Sequence, residues 1–228
     1  LEACLWHLRC CIETVNKDQD KEITQLKQDI QKQIDIDDSI DANLLMFRLM
    51  YNLGDYVSAE QKIDQIEKQF GPGEQILLRR AELSVAQKNY DQAIVMLEDA
   101  VKQYPDSYQI KQMLVWNYVK TNQLEKGRQA ILAACESATN ALDVRRYKLW
   151  LAEHALLEGK HEEAVDIYKE LAEKNKGDVF VRRQLLALQF NDADADQLAQ
   201  WINEIKETEG DNGWQWKYEQ ARLWYERD

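Results

Sequence analysis

The sequence predicts an all-α protein made of tandem helix–turn–helix units stacked as a solenoid, and three observations lead there. The first is an internal period. The marker Gly54-Asp55-Tyr56 returns as Lys88-Asn89-Tyr90 34 residues on, as Asn122-Gln123-Leu124 after another 34, as Gly159-Lys160-His161 after 37 and as Ala193-Asp194-Ala195 after 34. Self-similarity at a fixed interval of this size marks repeats that bury their faces on one another. The second is a stripe with helical spacing after each marker. It opens on Ala59, Ala93, Gly127, Ala164 and, as the misfit, Leu198, and continues four and seven residues later, as in Ile63/Ile66 and Leu97/Ala100; this is one face of a helix. The third is the scarcity of turn formers: 8 Gly and 2 Pro in 228 residues disfavour an all-β fold with many tight turns.

The elements follow in order. Residues 1–39 read as a helical pair, a cap or a worn repeat. Leu1, Leu5, Leu8, Ile12 and Val15 form one face, Ile23, Leu26, Ile30 and Ile34 another, and the polar run Asn16 to Asp20 separates them. From residue 40 to 212 come five units, each with a first-helix stripe upstream of its marker: Met46/Phe47/Met50, Ala81/Ser84, Leu114/Val115/Tyr118, Leu151/Ala152/Ala155 and Leu185/Leu186. Gly54 and Gly159 fall in turns within units, Gly71, Pro72, Gly73, Pro105, Gly177, Gly210 and Gly213 near the joints between them, and Gly127 at a small-residue position where helices approach closely. The three extra residues in the 37-residue interval lie within Cys135 to Val144, and the cheapest way to place them is to lengthen the preceding helix. Residues 213–228, with Trp214, Trp216, Tyr218, Leu223, Trp224 and Tyr225, read as the first helix of a sixth, incomplete unit or a cap. The absence of an initial Met leads us to expect a piece of a longer polypeptide.

A 34-residue helical hairpin with a small residue opening its second helix resembles the tetratricopeptide repeat, TPR. The resemblance covers Ile40 to about Asn212 as five units starting near Ile40, Glu74, Tyr108, Arg145 and Val179. The second unit matches best, through Ala81, Tyr90, Ala93, Ala100 and the closing Tyr104-Pro105. Departures are the missing early aromatic of the first helix (Leu77, Lys111 and Lys148 stand there), Gly127 in place of alanine, and a fifth unit that keeps little beyond its stripe. The resemblance implies a right-handed α-solenoid whose first helices line a concave groove through fixed positions. Carried over, those positions give as partner-binding residues Arg48, Tyr51, Glu82, Trp116, Lys120, Arg146, Leu149, Glu153, Phe180, Arg183, Phe190, Trp214 and Lys217. Of the remaining groove positions, Leu78, Val85 and Leu156 are the ones whose side chains could instead pack between helices.

The implied groove carries five cations, Arg48, Lys120, Arg146, Arg183 and Lys217, against Asp41, Glu82 and Glu153, on a chain of net charge -12. With its aromatics, this implies as partner a peptide or helix bearing apolar anchors and acidic groups. The clamp by which some TPR proteins grip chaperone tails needs Lys and Asn at positions where this chain has Leu44 and Arg48, so a chaperone adaptor is not expected.

Other chemistry is sparse. An excess of 41 acidic over 29 basic residues argues against nucleic acid or an anionic membrane as partner. No apolar run approaches the roughly 20 residues of a membrane span, so a soluble chain is expected. Four cysteines without regular spacing lean towards a reducing, cytoplasmic setting. His7, His154 and His161 stand in no nucleophile–base pattern, and phosphate-loop and dinucleotide motifs are missing. Cys4, His7, Cys10 and Cys11 share one short helix, and a single helix rarely converges on a tetrahedral ion; neither metal nor cofactor is expected, and half-buried thiols are the simpler reading. The expectation is therefore a non-enzymatic interaction scaffold. Two other readings stand beside it: a structural or self-associating segment, joined through 213–228 or the N-terminal pair, and the regulatory region of an enzyme whose catalytic domain lies elsewhere.

Overall fold

A computed structural model of the chain describes residues 2–227 and the side chains of residues 4–226; Leu1, placed on the first apolar stripe by the sequence, lies outside the described residues. Among these there are thirteen α-helices and no strand. They form two compact units, Leu1–Asn122 and Gln123–Asp228.

The first unit holds α1 (Glu2–Thr14), α2 (Asp20–Ile36), α3 (Ile40–Asn52), α4 (Tyr56–Phe70), α5 (Glu74–Ala86), α6 (Tyr90–Gln103) and α7 (Tyr108–Lys120). Each helix packs on the next, and α1 also packs on α3. Leu8 and Ile12 of α1 and Leu26, Ile30 and Ile34 of α2 meet Ala42, Leu45, Met46 and Leu49 of α3. The opposite side of α3 sends Phe47 against Ala59, Ile63 and Ile66 of α4 and Ile76 and Leu83 of α5. The small residues opening the second helices work as the period requires: Ala59 and Ala93 are fully buried, and any larger side chain there would hold the neighbouring helix away.

The turns explain why the markers recur. Gly54, Lys88, Asn122 and Gly159 all adopt left-handed backbone, with φ of 73°, 64°, 56° and 75°. At three of them the same pair of bonds closes the helix: Gly54 N–H donates to Tyr51 O and Asp55 N–H to Met50 O, Lys88 to Val85 and Asn89 to Ser84, Gly159 to Leu156 and Lys160 to Ala155. This left-handed cap satisfies carbonyls that the helix end would otherwise orphan. At their N-termini, α3, α4 and α7 begin on Ser39, Asp55 and Ser107, whose side chains accept a backbone N–H three residues on, the usual N-cap bond.

The second unit holds α8 (Leu124–Ser137), α9 (Ala141–Leu157), α10 (His161–Lys174), α11 (Val179–Gln189), α12 (Ala195–Glu209) and α13 (Gln215–Arg227), again packed each on the next. One core joins Ala155, Tyr168, Leu185, Leu198, Trp201 and Leu223, among others. The three extra residues lengthen α9, which has 17 residues where α3, α5 and α7 have 13. The helix before it, α8, keeps the 14 residues of α6, contrary to the expectation: Asn140 caps α9 through the N–H of Asp143 and so fixes its earlier start. The fifth hairpin departs from the others. Its first helix has only 11 residues, and its turn shows no left-handed residue.

Candidate docking site

In the first unit, α3, α5 and α7 line an open furrow. Two adjoining hollows of about 440 Å³ each share Tyr51, Leu78, Arg79, Glu82 and Gln109. One continues to Val85, Gln112, Met113 and Trp116, the other to Leu44, Arg48, Asn52 and Gln75. Four of the five residues that the resemblance placed on this unit, Arg48, Tyr51, Glu82 and Trp116, therefore line one depression. Lys120 lies one turn beyond Trp116 with its Nζ 5.1 Å from the indole centroid. Leu78 is 3% exposed and forms the floor, in keeping with a packing role.

The charges of this furrow are already matched. Arg79 Nη1 donates to Glu82 at 2.5 Å, and Arg48 Nη2 donates to Glu13 of α1 at 2.8 Å. Tyr51 stacks on Phe47 at 6.0 Å and meets Tyr56 at 5.9 Å; burial and then the nearby Glu82 charge push its hydroxyl pKa up, keeping it a neutral donor. Between the ion pairs lie carboxamides, Gln75, Gln109 and Gln112, and apolar wall. A partner covering this lining need not supply a counter-charge to either arginine, although dehydrating the pairs still costs free energy. Arg79 was not foreseen, although its place three residues before Glu82 on one helix is the spacing of an ion pair. Glu13 had no such signal, lying 35 residues away from Arg48.

In the second unit the foreseen residues separate. Phe180 is 46% exposed and Trp214 65% exposed, and the guanidinium of Arg183 lies 5.7 Å from the Trp214 ring. Arg183 also donates to Gln215 at 3.2 Å and to the buried Glu219 at 3.4 Å. Arg146 pairs with Asp143 at 3.3 Å, and Lys217 lies 5.5 Å from the centroid of Trp216. Phe190 is not a surface residue: α11 ends at Gln189 and the ring turns into the core, 3% exposed, beneath Arg222 at 3.9 Å. Leu149 is half-buried against the same core. Glu153 is an exposed residue whose carboxyl pKa is nonetheless raised by partial desolvation, and it helps push the buried Tyr168 hydroxyl up to about 12, after burial itself.

The positive charge expected of the groove is thus largely answered from within. Arg48, Arg146 and Arg183 each face a carboxylate of their own unit. At the N-terminus, Cys11 Sγ lies 3.6 Å from His7 Nε2, and Cys10 and Cys11 are half-buried while Cys4 is exposed. Among the described residues no group of three or more His, Cys, Asp or Glu is placed to hold a metal ion, and no helix is long and apolar enough to cross a membrane.

Successive helical hairpins, most of them closed by the same left-handed turn, make this an all-α helical-repeat protein. Residues 84–153 match the tetratricopeptide repeat family model. The fold is similar to a thermophilic TPR protein of Thermus thermophilus, at 16% identity and a TM-score of 0.53 over 80% of this chain and 97% of that one. It is similar to PilF of Pseudomonas aeruginosa, at 17% identity and a TM-score of 0.53 over 97% and 98%. MamA of Desulfovibrio magneticus (residues 41 to the end) matches at 19% identity and a TM-score of 0.50 over 77% and 97%. At these identities the likeness is one of fold. No curated protein matches the chain by sequence.

Proposed function

We propose that the chain is a non-catalytic docking module whose first-helix faces seat a linear or helical segment of another protein. The observation that carries this reading is the furrow of α3, α5 and α7: apolar wall, an indole 44% exposed at Trp116, and charges paired before any partner arrives. Aromatic and apolar anchors in a groove supply most of the energy of such contacts, while rim charges tune rate and specificity. The partner segment accordingly carries one or two apolar side chains to fill the space between Tyr51 and Trp116. Carboxylates play a secondary part, set by Lys120 in the first unit and Lys217 in the second, because the arginines already hold carboxylates.

The test is selection of displayed peptides on the whole chain beside Trp116→Ala and Glu82→Lys variants of equal helicity. Peptides with apolar anchors should be enriched on the wild type and lost on both variants, with Trp116→Ala weakening them by ten-fold or more, about 1.4 kcal/mol. Enrichment that is equal on all three proteins, or absent from the wild type, would contradict the reading.

A further inference from the structure

A second furrow, of about 600 Å³, runs between α1 and α2. Leu8 and Leu26, both nearly buried, line it together with Val15 and Ile36, and Ile36 is 74% exposed to water. Glu22 and Asp29 stand on its α2 side. Gln33, 5% exposed, also lines it, and its Nε2 is buried with no hydrogen-bond partner. An exposed isoleucine and an unanswered amide in one apolar depression are the marks of a surface made to be covered.

The other end of the chain presents a matching shape. Leu223 and Glu219 bury one side of α13, while Tyr218, Trp224 and Tyr225 on the other are 57%, 62% and 91% exposed. Tyr218, Ala221 and Tyr225 recur at three and four residues, the spacing of a helix-pairing seam. At about 1.5 Å per residue α13 is roughly 20 Å long, close to the length of furrow between Cys4 and Val15. Charge agrees with shape: residues 1–39 carry nine carboxylates against five cations, whereas Gln215–Arg227 carries three cations against two carboxylates. Fully covering three aromatic side chains of this kind buries on the order of 400 Å², about half of what each partner of a standard interface contributes.

We propose that α13 of one copy seats in the α1–α2 furrow of a second copy, so that the protein associates head to tail. The two surfaces differ, so the contact is heterologous: each copy offers both a furrow and an α13, and copies joined through them either close on themselves or run on as an open chain. This association does not depend on the docking furrow of α3, α5 and α7.

Sedimentation velocity on the whole chain, from micromolar to near-millimolar concentration, tests it with two variants. Trp224→Glu with Tyr225→Glu removes the tail, and Glu22→Lys with Ile36→Lys removes the head; all four positions are exposed. The wild type should associate as concentration rises, and each variant alone should stay monomeric. An equimolar mixture of the two should form dimers and nothing larger, since it holds one working head and one working tail, and that dimer also shows that both variants are folded. A wild type that is monomeric throughout, variants that still associate alone, or a mixture that stays monomeric would each overturn the proposal.

Discussion

Lys88 and Asn122 occupy left-handed backbone that Gly54 and Gly159 occupy in the equivalent turns. A side chain in that region meets its own carbonyl, at a cost of about 1 kcal/mol. Lys88→Gly should therefore raise stability by up to about 1 kcal/mol, the gain reduced by the extra freedom glycine gives the unfolded chain, and Gly159→Ala should lower it by about as much; thermal unfolding of the two variants reads both signs. Glu153 gives a prediction in pH. Its native carboxyl pKa is raised above the ordinary 4.5 by desolvation, so the native state holds that proton more tightly than the unfolded chain does. The resulting penalty is absent below 4.5 and grows as pH rises through the raised value. Glu153→Gln should thus raise the melting temperature near neutrality and leave it unchanged in acid, whereas a melting temperature equal to wild type at neutral pH would show that the carboxylate is fully hydrated. Phe190 shows where position counting stops at this scale: the repeat register put it on the groove, but its backbone is still helical and it stands four residues after the buried Leu186, on the core stripe of α11.

The elements were legible because their signals are local. A stripe at helical spacing, a small residue opening each second helix and a turn marker every 34 residues are all read within one hairpin. Contacts between hairpins are not local, and those were missed: Glu13 of α1 holding Arg48 of α3, and Arg182 of α11 reaching back to α10. Arg182 is 4% exposed, pairs with Glu204 and donates to Ala172 O at 3.1 Å. It ties α11 to both α10 and α12 in the hairpin with the weakest repeat signature. Removing one member of a buried pair leaves an uncompensated charge, so Arg182→Met should cost about 3 kcal/mol. Arg182→Met with Glu204→Met should recover most of that loss, since apolar replacement of both partners is often neutral. Urea unfolding of the single and double variants measures the difference; a double variant no better than the single would mean that the bond to Ala172 carries the effect instead.

For the whole molecule, a chain of neighbour-packed hairpins distributes its stability unit by unit. The fifth hairpin lacks the left-handed turn and has Leu198 where the others have a small residue. Backbone amides of α11 and α12 should exchange with solvent faster than those of α5 and α6, and uniform protection along the chain would contradict that. The strongly negative chain and its internally paired furrow belong to one picture: charge keeps the surface hydrated, while the proposed docking face is left free of lone charges. The first-helix positions that line the α3, α5 and α7 furrow follow from the repeat spacing, but the pairing of its charges does not, because the partners of Arg48 and Arg183 sit on other helices; only a pair three residues apart, such as Arg146 with Asp143, is open to a sequence reading. The most direct measurement of the central claim is a nuclear magnetic resonance titration of the labelled chain with a selected peptide. The account predicts shift changes at Tyr51, Leu78, Glu82, Gln112 and the Trp116 indole, while changes confined to the second helices α4 and α6 would contradict it.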